Sequence, residues 1–397
     1  MKILVLNCGS SSVKYQFFDL DKNLALCKGL VDRIGMAGAV LAHSRYDGEK
    51  INLVAEILDH TMAIEYVVAI LMSKNHGVIA TQKDIDAVGH RVVHGGETFS
   101  GSIKITDDVI RVLHENIGLA PLHNPPNIKG IQAVTRLLPD TPQVGVFDTA
   151  FHSNMPHKAF LYGIPYELYK KHKIRRYGFH GTSHRFVSAS AASMMNKDIS
   201  ELKIVTAHLG NGCSMAAVDR GKSIDTTMGF TPLEGLLMGT RSGDMDPSVI
   251  LYIMGKEELT SSEANTLLNK HSGLTGISGE SSDMRDIITS MKEGHKRSRY
   301  AFEVFCYRIK KYIGAYAAAM GGLDALVFTG GIGENSADVR AEVCKDLGFL
   351  GLEIDGKKND SREDDISAPN SRVKVFRIST DEELVIARDT QEIVKGN

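Results

Sequence analysis

The sequence has few cysteines, and they show no pattern that would stabilise a small secreted or zinc-bound fold. Its 397 residues include five cysteines, an odd number, with no CxxC spacing. They are Cys8, Cys27, Cys213, Cys306 and Cys344. A disulfide framework and a zinc ribbon both need paired, regularly spaced cysteines. We therefore expect free thiols, as in a protein of the reducing cytoplasm.

The chain also lacks an excess of charge and a long apolar run. Its 46 Lys and Arg residues and 48 Asp and Glu residues leave a formal net charge of −2. That balance gives no global basic field for nucleic acid or an anionic membrane. The most apolar stretch, Met62–Met72, is short and contains Glu65, which does not suit a membrane span. The chain opens directly into a strand pattern without a leader, so we expect a non-secreted, cytoplasmic protein that binds neither nucleic acid nor membrane.

No low-complexity linker divides the sequence, although its length exceeds what one hydrophobic core usually organises. Hydrophobic residues make up 43% of the chain, enough for two cores. Strand-like runs alternate with helical periodicity, which predicts an α/β protein with largely parallel sheets. The predicted strands include Ala87–Val93, Gln143–Phe147, Ile204–His208 and Ala325–Thr329, and the predicted helices Asp107–Leu119, Ile128–Leu138, Ser183–Met195, Tyr300–Met320 and Leu384–Val394. Gly356–Asp365 mixes both charge signs and is predicted to be a solvated loop.

A glycine- and serine-rich turn occurs twice, each time between two strand patterns. The turns are Cys8–Ser12, between Lys2–Asn7 and Val13–Phe18, and Gly210–Ser214, between Lys203–Leu209 and Met215–Val218. Glycine leaves backbone N–H groups uncovered and serine adds hydroxyl donors, so such turns can bind an anion. Two copies predict two halves that face one polyphosphate, with a domain boundary between about Phe151 and Lys203.

A third glycine cluster, Thr329–Asn335, follows a strand pattern and precedes a helical run from Ala337. Backbone at such a turn can approach a flat or anionic ligand. A nicotinamide fingerprint is disfavoured because that motif belongs in an early βαβ unit. Gly221-Lys222-Ser223 resembles the end of a P-loop, but the upstream glycine that motif requires is Ala216 here.

Arginines and histidines lie beside glycines or prolines in four segments: His90–Gly96, Pro121–Pro126, Tyr177–His184 and Gly239–Asp244. These segments are not expected to form long regular helices, and their donors suit a phosphoryl group in transfer. The alternative is a metal site, but no HExxH motif is present. For His90, His94 and His184 a structural role is the better interpretation.

Two carboxylates follow predicted strands. Asp148 ends one strand, and Glu382 comes shortly after another, Val373–Ile378. Carboxylates at the ends of parallel strands point toward the ligand crevice, where they can hold Mg²⁺ against phosphate. Helix capping by Asp381 or Glu382 explains the second position equally well.

Taken together, the motifs closely resemble those of the acetate kinase family. The resemblance extends from the first strand to the closing helix, and the matching stretches are Asn7–Lys14, Gly89–Gly96, Phe147–His152, Tyr177–His184, His208–Gly212 and Thr329–Asn335. It implies two ribonuclease-H-like domains of the actin/hexokinase/heat-shock ATPase superfamily, with a nucleotide in the cleft between them. The implied domains are 1–150, joined by a C-terminal helix at 383–397, and 151–382, which would carry most of the nucleotide site.

The resemblance also implies the roles of individual residues. The metal ligands for Mg²⁺, with Mn²⁺ as a substitute, would be Asn7, Asp148 and Glu382. The phosphates of ATP or ADP would contact Ser10, Ser12, Lys14, His208, Leu209, Gly210, Asn211 and Gly212, and the adenosine would contact Asp283, Met284, Arg285, Gly331, Ile332, Gly333, Glu334 and Asn335. Arg91 would hold the acetate carboxylate, with Arg241, His180 and the nearby His123 at the phosphoryl group, and Val93, Leu122, Phe179 and Pro232 would surround the methyl group. The family further implies a homodimer.

The chemistry constrains these roles. A carboxylic acid is already ionised at neutral pH, so acetate needs no general base. We therefore favour a metal-positioning role for Asp148 over proton transfer, and direct in-line transfer from ATP to acetate without a phosphoenzyme. Both Arg91 and Arg241 are expected to act on bound anions and not in a core.

Other functions remain open. Propionate would fit if the apolar pocket is slightly deeper, because one methylene changes binding by only roughly 1–3 kcal/mol. A sugar acceptor would need a carboxylate base and polar groups for its other hydroxyls, which these motifs do not provide. A conformational machine of the actin or heat-shock type would need a partner-binding module, for which no segment is left over.

Overall fold

The computed structural model describes residues 1–396, which divide into two units by their internal contacts. The N-terminal unit consists of Met1–Ser153 and the chain from Asp381 onward. The C-terminal unit is the continuous segment Asn154–Thr380.

Both units combine strands and helices. The strands are β1 (Lys2–Cys8), β2 (Ser12–Asp19), β3 (Leu24–Asp32), β4 (Ala39–Arg45), β5 (Lys50–Ala55), β6 (Ala87–Val92), β7 (Ile103–Lys104), β8 (Gln143–Phe147), β9 (Lys203–Leu209), β10 (Cys213–Asp219), β11 (Lys222–Thr226), β12 (Ala325–Thr329) and β13 (Lys374–Arg377). The helices are α1 (His60–Leu71), α2 (Asp107–Glu115), α3 (Asn124–Leu137), α4 (His157–Phe160), α5 (Tyr166–His172), α6 (Gly181–Met194), α7 (Pro247–Lys256), α8 (Ser261–Lys270), α9 (Gly273–Ser278), α10 (Met284–Lys292), α11 (Lys296–Met320), α12 (Gly330–Asn335), α13 (Ala337–Cys344), α14 (Gly356–Ser361) and α15 (Glu382–Lys395).

The two sheets share one strand order. The C-terminal sheet runs β11-β10-β9-β12-β13, and the N-terminal sheet contains the equivalent series β3-β2-β1-β6-β8, extended by β4 and β5 at one edge and β7 at the other. In each series the first three strands along the chain pair antiparallel, and the last two add in parallel. The expected duplication of a ribonuclease-H-like sheet is confirmed.

The expectation of largely parallel sheets is wrong. Antiparallel pairs outnumber parallel pairs because β1–β5 and β9–β11 follow one another through short turns. Short turns can connect antiparallel neighbours only, whereas parallel neighbours need a long crossover. All parallel pairs join strands that are separated along the chain by at least one helix, such as β1 with β6 and β9 with β12, although β7 pairs antiparallel with β8 across α2 and α3.

Helices cover both faces of the N-terminal sheet. On one face, α1 and α3 bury Ile64, Val67 and Val134 against β1 and β2. On the other, α15 buries Ile386 and Ala387. The predicted closing helix is therefore confirmed. None of the helices in residues 1–396 combines the length and the hydropathy that a membrane-spanning helix requires.

Contact between α15 and β6 depends on Gly89. A Cβ atom at Gly89 would lie 2.4 Å from Thr390 Oγ1 and 2.7 Å from Ile386 Cγ2. Both groups are buried, so neither has room to move without displacing α15. Glycine at this position therefore lets the helix that begins with Glu382 dock on the sheet.

We expect Gly89→Ala to lower the free energy of unfolding by about 1–3 kcal/mol, because it overpacks a closed contact. Urea unfolding measures this change. Gly101→Ala is the control, since nothing lies within 4 Å of a Cβ atom there. Equal stability of the two variants would contradict the close contact.

Four of the five predicted helices, α3, α6, α11 and α15, begin two to four residues earlier than predicted. The α3 helix begins at Asn124, and Pro125 and Pro126 occupy its first turn, where proline loses no hydrogen bond. The α6 helix begins at Gly181. The expectation that Pro121–Pro126 and Tyr177–His184 lie outside long regular helices is therefore wrong for their C-terminal halves.

Candidate active site

The first glycine-rich turn connects β1 to β2 in the N-terminal unit. The Gly9 amide donates to the Ser12 carbonyl oxygen at 2.8 Å, and the Gly9 carbonyl bonds to His60 Nε2 at 2.6 Å. Ser10 is exposed at its tip. On the adjoining strand, Lys14 is 63% exposed, with its Nζ atom 3.7 Å from a Glu383 carboxylate oxygen. The turn thus presents the Ser10 hydroxyl to solvent, and the adjoining strand presents one cation, Lys14.

The second turn connects β9 to β10 in the C-terminal unit. The Gly210 amide donates to the Gly212 carbonyl oxygen at 3.1 Å. A Cβ atom at Gly212 would lie 3.4 Å from Arg241 Nη1 and 3.6 Å from His180 Cε1. Two of the predicted phosphoryl-binding side chains therefore flank this turn, at ordinary van der Waals distance from a Cβ atom at Gly212.

Histidines are held in place beside the second turn by stacking and hydrogen bonds. His180 precedes α6 in a left-handed conformation, with a φ of 55°. Its ring stacks on His208 with 4.3 Å between centroids, and its Nδ1 atom bonds to Ser214 Oγ at 3.0 Å. Because a non-glycine residue with positive φ is strained, the surrounding bonds must hold it there.

Three other histidines have the structural role predicted for them. His184 bonds to Thr206 and Ser214, each at 2.7 Å. His90 bonds to Gln143 Oε1 at 2.8 Å. His94 Nδ1 accepts from the Gly96 amide at 3.0 Å. Burial lowers the pKa of both His90 and His94 to about 4, so both rings are neutral near pH 7.

Arg241 is a half-buried cation whose hydrogen-bond contacts are to uncharged groups. Its Nη1 atom donates to the Pro232 carbonyl oxygen at 3.4 Å and approaches Met238 Sδ at 3.9 Å. Within residues 1–396, no carboxylate forms an ion pair with it. Burial lowers the pKa of Arg241, but an arginine stays charged in proteins. The guanidinium is therefore available to an anionic ligand.

Arg91 in the N-terminal unit is paired with Asp148. Its Nε and Nη2 atoms donate to the two carboxylate oxygens at 3.0 and 2.6 Å. The Asp148 side chain is 2% exposed, and that of Arg91 22%. The sequence predicts that Arg91 binds acetate and that Asp148 binds the metal ion. The structure shows, in addition, a bidentate ion pair between the two side chains.

The N-terminal end of α15 brings a second carboxylate, that of Glu382, close to this pair. Asp381 is the residue that caps α15, since it accepts from the Leu384 amide at 2.9 Å. Glu382 does not cap the helix, and its Oε1 atom is buried without a hydrogen-bond partner. Burial raises the pKa of Glu382, with Asp148 and Glu383 raising it further and Arg91 lowering it.

The donor set fits a hard divalent cation in part. No group of three His, Cys, Asp or Glu residues in the described part of the chain is arranged to hold a metal. The three predicted ligands, Asn7, Asp148 and Glu382, all offer the oxygen donors that Mg²⁺ prefers. The buried, unpartnered Glu382 oxygen is the observation that favours a cation here, because such an atom is costly unless a ligand satisfies it.

A cavity of about 890 Å³ lies in the C-terminal unit beside the second turn. That volume is within the range of small-molecule sites. Of the predicted nucleotide-binding residues, Gly210, Asn211, Asp283, Met284, Arg285, Gly331, Ile332 and Asn335 line it. Sequence reasoning missed Ser282, Ile288, Ser336, Ala337, Asp338, Asp360 and Arg362, which also line it.

The segment predicted to be only a solvated loop, Gly356–Asp365, forms part of this cavity. Asp355 caps α14 by accepting from the Lys357 amide at 2.9 Å, and Asp360 and Arg362 lie on the cavity wall. The prediction of a loop alone is therefore wrong. A segment with both charge signs can form the solvent-facing wall of a cavity as readily as a free loop, so its composition does not distinguish the two.

Two residues of the third glycine cluster have structural contacts. Glu334 accepts from the Gly330 amide at 3.0 Å and from Ser379 Oγ at 2.8 Å. Gly333 is buried against Phe328. Neither residue is among those that line the cavity in residues 1–396. The cluster therefore meets the cavity through Gly331, Ile332 and Asn335, while Glu334 stabilises the start of α12.

The residues predicted around the acetate methyl group are divided between the two units. Val93 is buried in the N-terminal unit, where Leu122 is 72% exposed. Phe179 is buried in the C-terminal unit, and Pro232 is half-buried. His123 precedes α3 as its N-terminal flanking residue.

Asn127 is a residue that sequence reasoning missed. The β1–β6 ladder ends at the pair Leu6 and His90. Beyond that point the Asn127 amide donates to the Cys8 carbonyl oxygen at 2.8 Å and accepts from the Val93 amide at 3.0 Å. One buried side chain thus joins the first turn to the strand end that carries Arg91.

We expect Asn127→Leu to destabilise the protein by on the order of 2–5 kcal/mol, because it leaves two buried backbone groups unpaired. Urea unfolding checks this value. Asn116→Leu, which removes a single local bond to Val112, is the control. Similar losses in both variants would argue against the bridging role.

Comparisons with known proteins agree along the whole chain. Residues 2–388 match the model of the Acetokinase family. The chain is 55% identical over 398 residues to the acetate kinase of Halothermothrix orenii, covering 100% of both. The crystal structure of Porphyromonas gingivalis acetate kinase matches with a TM-score of 0.96 at 49% identity over 99% of each chain. A propionate kinase from Francisella tularensis matches with a TM-score of 0.92 at 44% identity over 99% of each chain.

Proposed function

The chain belongs to the acetokinase family, and on that premise we propose that it transfers a phosphoryl group from ATP to acetate, giving acetyl phosphate and ADP reversibly. It is a kinase with a carboxyl acceptor, and it has the fold of the acetate kinases. The structural observation that best supports the proposal is Arg241, a half-buried guanidinium without a carboxylate partner beside a phosphate-binding turn.

The reaction demands positive charge and no base. Acetate is ionised at neutral pH, so it attacks without losing a proton. Two anions must approach each other, and arginine donors reduce that repulsion. Arg241 and His180 would contact the phosphoryl group in transfer, and His123 keeps its predicted role near that group.

Arg91 would bind the acetate carboxylate. Two of its five N–H donors face Asp148. Its Nη1 group makes no hydrogen bond in the part of the chain that the structure describes, so it can donate to a second carboxylate. Asp148 would hold the guanidinium plane in one orientation while it does so. Val93, Leu122, Phe179 and Pro232 would surround the methyl group.

Asn7, Asp148 and Glu382 would hold the divalent cation, Mg²⁺ or Mn²⁺. When bound, it neutralises phosphate charge. Ser10, Ser12, Lys14 and the turn His208–Gly212 would contact the phosphates, and the cavity beside α10 and α12 would take the adenosine. Transfer would be direct and in-line, because acetate is itself a competent nucleophile. A chemically competent ³²P-labelled enzyme intermediate would overturn direct transfer.

Propionate is the second candidate acceptor. The similarity to a propionate kinase at 44% identity supports it, and one methylene is worth only roughly 1–3 kcal/mol in an apolar pocket. The shared chemistry is the phosphorylation of a short-chain carboxylate.

The decisive experiment is trapping of acyl phosphate as the hydroxamate with Mg·ATP and acetate, propionate, butyrate or glycerol in parallel. Product with acetate and propionate but little with butyrate supports the proposal, and the ratio of their kcat/KM values identifies the preferred acid. ATP hydrolysis that is independent of any acid would overturn it.

We also propose a homodimer, supported by an unpartnered apolar helix. The α7 helix, Pro247–Lys256, contributes no buried residue to the C-terminal unit. Leu251 is 69% exposed and Tyr252 66%. Soluble monomers rarely expose such a continuous apolar face, and a second copy of the chain can bury it.

We expect Leu251→Glu to convert a dimer into a monomer, because it places a charge on the proposed contact. Light scattering after gel filtration measures the mass. Val54→Glu on β5, a residue 74% exposed, should leave the dimer intact. A monomeric wild-type protein, or a dimeric Leu251→Glu variant, would contradict this interface.

A cytoplasmic location is part of the proposal. All five cysteines are buried free thiols, and unpaired cysteines are typical of a reducing compartment.

A further inference from the structure

Arg241 lies on a short loop whose ends are closed on each other. The loop is Leu236–Gly243, and its flanking residues are Gly235 and Asp244. The Asp244 amide donates to the Gly235 carbonyl oxygen at 2.9 Å. In return, the Gly235 amide donates to Asp244 Oδ1 at 2.8 Å. One residue therefore closes the loop through both its backbone and its side chain.

The backbone at this closure has no room for other residues. Gly235 has a φ of 104° and Gly243 a φ of 66°, a region that favours glycine. A Cβ atom at Gly243 would lie 2.3 Å from the Leu236 carbonyl oxygen. The two ends of the loop thus pack directly against each other.

Tyr312 holds the other oxygen of Asp244. The Tyr312 hydroxyl donates to Asp244 Oδ2. Tyr312 lies on α11, the longest helix of the C-terminal unit. Burial and the neighbouring Asp244 carboxylate raise the pKa of Tyr312, so its hydroxyl stays protonated. The loop closure is thereby anchored to a rigid element.

The position of Arg241 depends on this backbone. Its guanidinium has contacts to Pro232 and Met238 at 3.4 and 3.9 Å, which are too long to fix it firmly. Inside the loop, the Met238 amide donates to the Arg241 carbonyl oxygen at 3.1 Å. The Gly239 amide donates to the Asn211 carbonyl oxygen at 3.0 Å. This hydrogen bond joins the loop to the second turn, Gly210–Ser214.

We propose that Tyr312 and Asp244 are positioning residues, which clamp the Arg241 loop so that its guanidinium stays beside the phosphate turn during transfer. This inference rests on the proposed kinase function. Neither residue lines the 890 Å³ cavity. A misplacement of about 1 Å can cost 10²-fold in rate, so a loosened clamp should lower kcat while the substrates still bind.

The test compares two tyrosines one turn apart on α11. Tyr312→Phe removes the hydroxyl that holds Asp244. Tyr316→Phe removes a buried hydroxyl that has no hydrogen-bond partner. The ring centroids of the two tyrosines are 5.6 Å apart. We expect Tyr312→Phe to lower kcat about tenfold or more, with the KM for Mg·ATP within about twofold of wild type. Tyr316→Phe should leave kcat unchanged. Equal kcat values in the two variants would overturn the proposal.

A double-mutant cycle separates positioning from general structural damage. If Tyr312 acts through Arg241, then Tyr312→Phe in an Arg241→Ala background should lower kcat by less than about twofold further. A full, additive loss in that background would show that Tyr312 acts elsewhere. Asp244→Asn, which keeps an oxygen for Gly235, should give a loss comparable to that of Tyr312→Phe, and unchanged kcat would count against the clamp.

Failure of the inference is distinguishable from failure of the function. Wild-type protein that makes no acyl phosphate from any short-chain acid overturns the proposed function and this inference with it. Active wild-type protein with additive or absent variant effects overturns the clamp and leaves the function standing.

Discussion

Replacement of Arg241 by alanine is expected to lower kcat for acetyl phosphate formation by a factor of about 10³ or more. A transition-state arginine contributes at least that much in related phosphoryl transfers. The stability of the protein should change little, because the guanidinium makes no ion pair within residues 1–396 and has only long contacts. Hydroxamate trapping under saturating acetate and Mg·ATP measures kcat, and thermal unfolding measures stability.

Arg299→Ala is a suitable control, because it removes an exposed arginine of α11 at a position with no proposed role. A large loss of thermal stability in Arg241→Ala would indicate a structural role instead. A kcat near that of wild type would remove Arg241 from the proposed mechanism.

Arg91→Ala should behave differently, with losses in both activity and stability. The Asp148 carboxylate is 2% exposed and bonded to Arg91 at two oxygens. Removing the guanidinium leaves a buried charge unpaired, which typically costs about 3–5 kcal/mol. This revises the expectation, drawn from the sequence, that Arg91 acts on bound anions and not in a core. Urea unfolding and the KM for acetate measure the two effects.

A second substitution separates the two effects of Arg91. In Arg91→Ala/Asp148→Asn the unpaired charge is gone, so much of the lost stability should return while activity stays low. If the double variant is no more stable than Arg91→Ala, the ion pair is not the source of the loss.

The sequence predicts repeated local features of the fold well. The turns at Cys8–Ser12 and Gly210–Ser214 both connect adjacent antiparallel strands, because segments rich in glycine and serine disfavour continuation of a strand or helix. Asp148 follows β8 as expected, and the last helical pattern forms α15. Strand direction was not predictable in this way, since β3, β4 and β5 carry no motif and their pairing depends on turn geometry and packing.

Long-range side-chain contacts explain why the rest of the site could not be predicted. Asn127 bridges Cys8 and Val93, which are 119 and 34 residues away, and Tyr312 reaches Asp244 across 68 residues. Neither residue lies in a glycine motif, so nothing local marks it. The charge pattern likewise predicts a solvated loop at Asp360 and Arg362, which line the cavity, because the pattern does not show whether a charged segment borders a cavity.

The position of α15 affects the order in which the two units can be completed during synthesis. Asn154–Thr380 is one continuous segment, so it can fold as it leaves the ribosome. The N-terminal unit cannot, because Ile386 and Ala387 cover one face of its sheet and are translated after the entire C-terminal unit. Until then, Val5, Val144 and Val146 face solvent, and a nascent chain in that state should bind chaperones that recognise exposed apolar sheets.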